Sequence, residues 1–307
     1  NSVMNTIFAM IDNNMCSKLI KNIALIRFIN VLLTVLIFSC QFAYANSVSD
    51  TPYRIKTIVV DAGHGGHDGA TKGLFSREKD IALQVALRLG KAIEENLKDV
   101  KVIYTRTTDV FVPLYERIGI ANRNKADLFI SIHCNSMPIK KVISGYRKDS
   151  RGRRIPIYKT VQSTSTKGVE TFVSGFGRLD EQDVVMRENE SILLEKDYKD
   201  NYEGYDPKDP ESIILLSLMK NAFREQSIKL ASFMQDEYIL SGRIDRGVKE
   251  QSLAVLAKAG MPAVLTEIGF VSNPEEEEYM NSELGQNEIV GNLLKAIQTY
   301  KKQAELE

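Results

Sequence analysis

The sequence contains too few cysteines for a disulfide framework. Only three occur among its 307 residues, and two of them, Cys16 and Cys40, lie in the N-terminal segment. If that segment is cleaved, Cys134 remains alone and no intramolecular disulfide can form. The stability of the chain must then come from a packed core, which its hydrophobic content of 43% can supply.

An excess of charge and several catalytic motifs are also missing. The 40 Lys and Arg residues balance the 40 Asp and Glu residues, so the chain lacks the strongly basic character of a nucleic-acid-binding protein. It has neither a GxSxG serine elbow nor a P-loop, which leaves covalent hydrolysis and nucleotide cofactors without support. No internal repeat or linker divides it.

The N-terminal segment has the pattern of a secretory signal. Basic residues precede an apolar run over Val31–Cys40, and Ala43 and Ala45 form a small-x-small cleavage pattern. The run is shorter than the roughly 20 residues of a membrane-spanning helix. We therefore predict a signal peptide over residues 1–45, a single domain over residues 46–307, and export to the periplasm or cell envelope. Lipid attachment at Cys40 is the alternative.

Apolar runs and helical periodicity alternate along the rest of the chain. The apolar runs predict strands over Ile55–Gly63, Val100–Arg106, Ala126–His133, Gly168–Gly175, Leu253–Leu256 and Pro262–Asn273. Helical spacing predicts helices from Glu78, over residues 114–124, over Glu211–Tyr238 and over Leu284–Tyr300. Strands and helices at these intervals predict an α/β fold with a largely parallel sheet.

Two segments interrupt this alternation. Residues 137–167 are basic, polar and aperiodic, which predicts a loop or a small β excursion. Their basic patch, Lys140 to Arg154, is either a solvated loop or a site that attracts an anionic polymer. Residues 179–210 are acidic and end in turn-forming residues. We treat both segments as insertions into the domain.

Polar residues follow three of the predicted strands. His64 lies in the glycine-rich "AGHGGHDG" after the first strand, His133 ends the third, and Glu267 ends "AVLTE". The carboxyl ends of parallel strands meet at one edge of a sheet, where ligands gather. A metal site is one interpretation of this convergence, and a turn or core histidine is the other. His67 lies further out on the loop, where solvation alone explains it.

Two acidic residues have competing explanations. Glu78 opens a predicted helix, where an acid stabilises the helix dipole and Ser76 would be the N-cap, but the same position suits a third metal ligand. Glu267 interrupts an apolar run, and a buried carboxylate needs a partner. That partner is either Arg246 or a metal-bound water. Cys134 points away from His133 on the same strand, so we expect it to be a packing residue.

Two histidines and one carboxylate form the open ligand set of a catalytic zinc ion, with a position left for water. Zinc lowers the pKa of bound water to about 7. A carboxylate beside that water can move its proton to a leaving nitrogen, and Glu267 suits this role.

These residues stand in an ordered set of motifs. "VVDAGHGGHDGA", "EKDIAL", "TRTTDVFVPLYERIGIAN", "ADLFISIHCNS", "GVETFV", "RGVK" and "MPAVLTEIGFVSNPEEE" follow one another between about Ile55 and Tyr300. In this order they resemble the catalytic domain of the zinc-dependent N-acetylmuramoyl-L-alanine amidases. The similarity leaves out Met137–Lys167 and Leu179–Pro210.

The resemblance implies a twisted, mixed and mostly parallel six-stranded sheet with helices on both faces, of the phosphorylase/hydrolase type. It also implies zinc-dependent cleavage of the amide between N-acetylmuramic acid and L-alanine in peptidoglycan. By motif, His64, Glu78 and His133 would be the ligands of one zinc ion, and Glu267 the catalytic acid/base. We expect Asn135 and Arg246, which lie in matching motifs, to bind substrate.

Relatives that separate daughter cells often carry a helical insertion that covers the zinc until an activator protein releases it. By this resemblance, part of Val184–Tyr198 would shield the site, with Glu188 or Glu190 near the metal. The alternative is an elaborated substrate groove. A zinc peptidase and a metal-free wall-binding protein are the rival functions, although neither HxxE nor HExxH occurs.

Overall fold

The computed structural model describes residues 26–34, 54–175, 182–202 and 222–306. The chain divides into two compact units, Asn1–Pro52 and Tyr53–Glu307. The first unit contains a helix over residues 26–34, and the rest of the predicted signal peptide lies outside the described residues. Within the described ranges, no helix combines the length and the apolar composition that crossing a membrane requires.

The second unit is built on a six-stranded sheet with the spatial order β2-β1-β3-β8-β6-β7. Neighbouring strands pair in parallel except β6 and β8, which are antiparallel. The prediction of a mixed, mostly parallel six-stranded sheet is therefore confirmed. The strands of this sheet are β1 (Thr57–Ala62), β2 (Lys101–Tyr104), β3 (Leu128–Asn135), β6 (Val169–Ser174), β7 (Asp245–Gln251) and β8 (Ala263–Phe270).

Helices cover both faces of the sheet. They are α1 (Glu78–Asn96), α2 (Leu114–Arg123), α3 (Gln182–Asn189), α4 (Tyr198–Asn201), α5 (Arg224–Leu240), α6 (Ala254–Ala257), α7 (Pro274–Asn281) and α8 (Glu283–Ala304), with a 3₁₀ turn over Glu190–Leu194. Buried residues of α1, α5 and α8 share one apolar cluster. Buried residues of α2, α6 and residues 182–202 share a second cluster on the opposite face.

The strand pattern explains why there are two cores. Successive side chains of a strand point to opposite faces of the sheet. In β1, Ile58 and Val60 accordingly pack in the cluster with α1, whereas Val59 packs in the cluster with α2. The apolar stripe of α1, predicted from its four-residue spacing, is buried at Ile81 and Val85 against the first of these clusters.

Several predicted elements need correction. Leu253–Leu256 was predicted as a strand, but the chain forms the short helix α6 there. A run of four apolar residues fits either structure when it is buried on all sides. β7 was not predicted, because its sequence is largely polar and contains Gly247, as edge strands allow. The predicted helix Glu211–Tyr238 is described only from residue 222, and α5 ends at Leu240.

The two predicted insertions have different structures. Residues 137–167 contain an antiparallel hairpin of β4 (Lys140–Lys148) and β5 (Arg154–Val161), which agrees with the predicted β excursion. Residues 182–202, called the covering segment below, contain α3, the 3₁₀ turn and α4. The covering segment is helical, in agreement with the helical insertion that the resemblance implied for part of Val184–Tyr198, and only Tyr198–Asn201 forms a helix where turn residues were noted. The remainder of 179–210 lies outside the described residues.

Candidate active site

The predicted site residues meet along one row of the sheet. His133 of β3 lies opposite Glu267 of β8 in the parallel register, and Glu267 lies opposite Glu170 of β6. His64 follows β1, the neighbour of β3 on the other side. Strand register therefore places Glu267 beside His133 with Glu170 one strand further, and the loop after β1 adds the second imidazole. β8 continues three residues past Glu267 to Phe270, so Glu267 lies within the strand and not at its end.

Four side chains converge to form a cluster at the end of β1 and β3. His64, Glu78, His133 and Glu188 are buried, and one ligand atom from each lies within 4.8 Å of all the others. His64 Nε2 lies 3.2 Å from both Glu78 Oε1 and Glu188 Oε2. His133 Nδ1 lies 3.1 Å from Glu78 Oε1 and 2.9 Å from Glu188 Oε2. This is the spacing of groups that share one small cation.

Gly63 and His64 turn the chain into this cluster. A Cβ atom at Gly63 would lie 2.4 Å from His133 Nε2, so no other residue fits beside that imidazole without a shift. His64 itself adopts a left-handed conformation with φ of 55°, which is uncommon for a residue with a side chain. Such strain is retained when the surrounding structure holds it, and it is concentrated at functional sites.

Asp68 orients the His64 ring. Its Oδ2 atom lies 2.9 Å from His64 Nδ1 and accepts a hydrogen bond of 2.6 Å from Ser191 Oγ. A carboxylate on the remote nitrogen fixes the tautomer and rotation of a histidine whose other nitrogen binds a metal. His64 Nε2 is thereby left to face Glu78 and Glu188. The role of Asp68 was not predicted from the sequence, although Asp68 lies only four residues beyond His64, on the loop that returns to it.

A buried ion pair supports the backbone beneath His64. The guanidinium of Arg117 contacts Asp61 at 2.8 Å and donates to the carbonyl of Ala62 at 2.7 Å and of His64 at 2.6 Å. Burial alone would raise the pKa of Asp61, but Arg117 and the hydroxyls of Ser131 and Thr105 lower it. Asp61 is therefore a fixed anion that anchors Arg117.

Glu78 enters the cluster as the first residue of α1. Its Oε2 atom accepts a hydrogen bond of 2.8 Å from Thr71 Oγ1, while Oε1 faces both histidines. The prediction that Ser76 caps α1 is wrong. Arg77 occupies the N-cap position without a capping side chain, and Ser76 Oγ donates to Glu277 at 2.7 Å.

The electrostatics of the cluster fit a divalent metal. Burial would lower the pKa of His133, but the adjacent carboxylates of Glu188 and Glu78 raise it to about 9. Burial would also lower the pKa of His64, but the carboxylates of Glu78 and Glu188 outweigh burial and raise this pKa well above its usual value. His64 Nε2 and Glu188 Oε2 are buried without a hydrogen-bond partner in the described structure. A cation among four such donors would neutralise two buried carboxylates and allow both imidazoles to be neutral.

Glu267 lies beside the cluster with one cationic partner. Its Oε1 atom is 3.3 Å from Arg187 Nη2, and Oε2 has no hydrogen-bond partner among the described residues. Burial and the charge of Glu188 raise the pKa of Glu267 well above its usual value, against the opposing effect of Arg187. Arg246, which the sequence left as the alternative to a metal-bound water, pairs with Glu170 instead, and the arginine that contacts Glu267 is Arg187.

The two residues expected to bind substrate lie next to this row. Asn135 Oδ1 accepts a hydrogen bond of 3.0 Å from Arg187 Nη1, and its amide donates to Glu170. Arg246 Nε lies 3.3 Å from Glu170 Oε2, and its guanidinium stacks over the ring of Phe270 at 4.9 Å. Asn135 is buried, whereas the Arg246 side chain is 34% exposed, so only Arg246 of the pair is accessible as the chain stands.

Two further residues of interest lie outside the cluster. His67 is exposed and its ring stacks on Phe111 at a centroid distance of 4.2 Å. Cys134 is fully buried in the core with α1, and burial raises the pKa of its thiol well above the usual value. That environment suits a packing residue.

The covering segment contributes the side chains of Arg187, Glu188 and Ser191 to the site. Glu188 joins the cluster, whereas Glu190 is exposed. Arg187 lies 2.9 Å from Glu188 Oε1, in addition to its contact with Glu267. No sequence motif distinguished Arg187, because its role depends on where the helix lies. A cavity of about 480 Å³ beside the cluster is lined by residues of the covering segment and of the loop after His64.

Comparison with known proteins assigns a family to most of the chain. A sequence profile of the Amidase_3 family, N-acetylmuramoyl-L-alanine amidase, matches residues 58–299. The chain is 29% identical over 247 residues to the N-acetylmuramoyl-L-alanine amidase AmiC of Escherichia coli O6:H1, covering 79% of this chain and 52% of AmiC. It is 26% identical over 250 residues to AmiA of Escherichia coli K12, covering 80% of this chain and 76% of AmiA. The chain thus spans about half the length of AmiC.

A solved structure shares the fold. The CwlD amidase of Clostridioides difficile, determined in complex with the GerS lipoprotein, superposes with a TM-score of 0.53 at 23% sequence identity. The superposition covers 80% of this chain and 98% of that one. At this level of identity the match concerns the fold of the catalytic unit.

Proposed function

The chain belongs to the N-acetylmuramoyl-L-alanine amidase family, and on that premise we propose that it hydrolyses the amide between N-acetylmuramic acid and L-alanine in peptidoglycan. The observation that supports this most strongly is the buried cluster of His64, Glu78, His133 and Glu188. Three of these residues lie in the family motifs, and Glu267 lies beside them.

In this proposal His64, Glu78 and His133 hold one zinc ion. Nitrogen and carboxylate donors in this ratio are those of catalytic zinc sites. A bound zinc ion would polarise the amide carbonyl and lower the pKa of a water molecule to about 7. Asp68 keeps the tautomer of His64 that leaves Nε2 for the metal.

Glu267 is proposed as the acid/base. It accepts the proton of the attacking water and donates it to the nitrogen of L-alanine as the amide breaks. Its position fits both steps, because Glu267 lies opposite His133 on the adjacent strand. One of its oxygens has no hydrogen-bond partner among the described residues. Asn135 and Arg246 would position the substrate along β3 and β7.

Glu188 would complete the coordination of zinc and keep water away. Four protein ligands close a zinc site, whereas a catalytic site keeps one position open. Arg187 engages Glu267 from the same helix, so the covering segment meets both the metal site and the base. We propose that this segment holds the enzyme at a low basal rate until a protein partner draws it away. A related amidase forms a complex with a lipoprotein.

The proposal includes export, since the substrate lies outside the cytoplasm. The predicted signal peptide over residues 1–45 would direct the chain to the periplasm or cell envelope, with lipid attachment at Cys40 as the alternative form. The wall polymer is the expected partner, and the neutral net charge gives no reason to expect nucleic acid.

Mass spectrometry of digested muropeptides tests the reaction. Purified sacculi are incubated with the protein, with and without a chelator, and the soluble products are identified. Free stem peptides that begin with L-alanine, absent after chelation, are the expected result. Cleavage between two amino acids would indicate a zinc peptidase instead. Binding to sacculi without any release would indicate a wall-binding protein that lacks catalysis.

A further inference from the structure

The β4–β5 hairpin, here called the ribbon, carries a concentration of positive charge that the rest of the chain does not. Between Lys140 and Val161 it contains one acidic residue and eight basic ones, although the whole chain has a net charge of zero. The basic residues are Lys140, Lys141, Arg147, Lys148, Arg151, Arg153, Arg154 and Lys159. Among the described residues, only Arg153 of these eight has a carboxylate partner.

The ribbon is a preformed element. β4 and β5 pair in antiparallel register from Lys140 opposite Val161 to Lys148 opposite Arg154, with one register shift between Ile143 and Gly145. At its tip Asp149, the one acid, accepts hydrogen bonds from the backbone of Arg151 and from Arg153. The charge of Asp149 is therefore engaged within the turn, and the remaining cations face outward.

Aromatic and aliphatic side chains lie among these cations. Tyr146 is 51% exposed, Tyr158 58% and Ile143 50%. Ile143 lies opposite Tyr158, and Arg154 stacks over the ring of Tyr146 at 4.2 Å. None of these residues packs in either apolar core. Their apolar surface therefore does not stabilise the fold through core packing and is available to a ligand. An apolar surface with interspersed cations is suited to a ligand that has both flat apolar faces and negative charges.

The ribbon is continuous with the candidate active site. β3, which carries His133, ends at Asn135, and the ribbon begins five residues later. Gln162 fastens its base by donating to Ser136 Oγ at 3.1 Å and to the Met137 carbonyl at 2.7 Å. A cavity of about 480 Å³ joins Ile139 at the base of the ribbon to Thr71 and Arg187 of the site.

We propose that the ribbon is a substrate-binding arm that holds peptidoglycan beyond the bond to be cut. Peptide stems of peptidoglycan carry free carboxylates, which Lys and Arg bind, and its sugar rings have apolar faces that pack on Tyr. The ribbon lies outside the motifs shared with the family, so it would set the affinity of this chain for the polymer. This inference rests on the proposed function for the identity of the ligand.

A sedimentation assay with purified sacculi tests the arm. Every protein is zinc-loaded and carries Glu267→Gln, so that the wall is not digested, and the sacculi are treated with hydrofluoric acid to remove phosphate polymers. The ribbon variant carries Lys141→Gln, Lys148→Gln and Arg154→Gln. The matched control carries Lys91→Gln, Lys98→Gln and Lys295→Gln on exposed helix and loop surfaces of the same domain. Circular dichroism verifies that both remain folded.

At low salt we expect the ribbon variant to bind sacculi about tenfold more weakly than the control, with a smaller dependence on salt. A second variant, Tyr146→Ser with Tyr158→Ser, should weaken binding without changing the salt dependence. Equal binding by ribbon and control variants would overturn the proposal. So would parent binding that disappears with the phosphate polymers, or parent binding to vesicles of anionic lipid in preference to sacculi.

The outcome is separable from that of the proposed function. Wall binding is measured here without catalysis, and release of L-alanine stems is measured with the unmodified protein. If the stems are not released but the ribbon variant still loses wall binding, the amidase assignment fails and the arm remains. If stems are released and the ribbon variant binds normally, the arm fails alone.

Discussion

Two regions contribute to the site, and they are held in different ways. One is the sheet edge, by which we mean the carboxyl ends of β1, β3 and β8, and the other is the covering segment. His133 and Glu267 lie on adjacent central strands, and each strand is paired on both sides and fully buried. The covering segment is attached by a few apolar side chains and polar contacts, including those of Asn189 with residues 252 and 254 and of Glu195 with Leu114. The covering segment can therefore be displaced with less loss of packing and hydrogen bonds than the central strands, as the proposed activation requires.

Removal of the metal should have the largest effect, because both regions depend on it. Dialysis against a chelator is expected to abolish hydrolysis, and zinc should restore it. His133→Ala should prevent this restoration, since it removes a donor from the rigid region. Metal content by mass spectrometry and release of stem peptides are the measurements. Full activity of a chelated protein that contains no metal would contradict the assignment.

Glu267→Gln should separate binding of metal from turnover. We expect a loss of about 10²–10⁴-fold in the hydrolysis rate with unchanged zinc content, because the glutamine side chain cannot accept the proton of the attacking water. Glu170→Gln on the adjacent strand is the comparison, and it should have a smaller effect. Retention of the parent rate by Glu267→Gln would place the base elsewhere.

Arg117→Met tests how much the buried Asp61–Arg117 pair contributes to the unfolding free energy. Asp61 would be left as an unpaired buried charge, which typically costs about 3–5 kcal/mol of unfolding free energy. Urea denaturation with a chelator present measures this loss without a contribution from metal. Adding Asp61→Asn should recover part of it, whereas strictly additive losses would show that the two side chains are not coupled.

The Asp61–Arg117 pair also predicts a pH dependence. The pKa of Asp61 is lowered in the folded chain. The contribution of the pair to stability is therefore complete above the unfolded value of about 3.9, and it is lost as the pH falls through the lower folded value. The difference in unfolding free energy between the parent and Arg117→Met should accordingly shrink on acidification through this range. A difference that stays constant would contradict the assignment of a charged pair.

Glu188→Ala tests whether the covering segment restrains the enzyme. Loss of the fourth ligand should open a coordination position and raise hydrolysis of sacculi by about tenfold without an activator. Asp200→Ala is the matched control, since Asp200 is an exposed acid of the same segment that does not line the cavity beside the cluster, and it should leave the rate unchanged. Lower activity of Glu188→Ala in a folded protein would indicate that the segment builds the substrate groove.

Local patterns in the sequence predicted most of the sheet edge. The stripe of α1 and the β-branched run of β1 are properties of neighbouring residues. Parallel strands ending at one edge then bring His64 and His133 together. The sequence was less informative where segments are short or polar, so α6 was predicted as a strand and β7 was missed.

By itself the sequence determined most of the strands and helices around the site, because periodicity is encoded within each segment. The alternation of strands and helices then favours parallel strands, which brings His64 and His133 to one edge of the sheet. Only the tertiary structure decided that Glu188 and not Glu190 enters the cluster, and that Arg187 and not Arg246 meets Glu267. Those choices depend on how a helix distant in sequence rotates and packs against the sheet. That packing results from contacts between segments, which no local pattern of residues records.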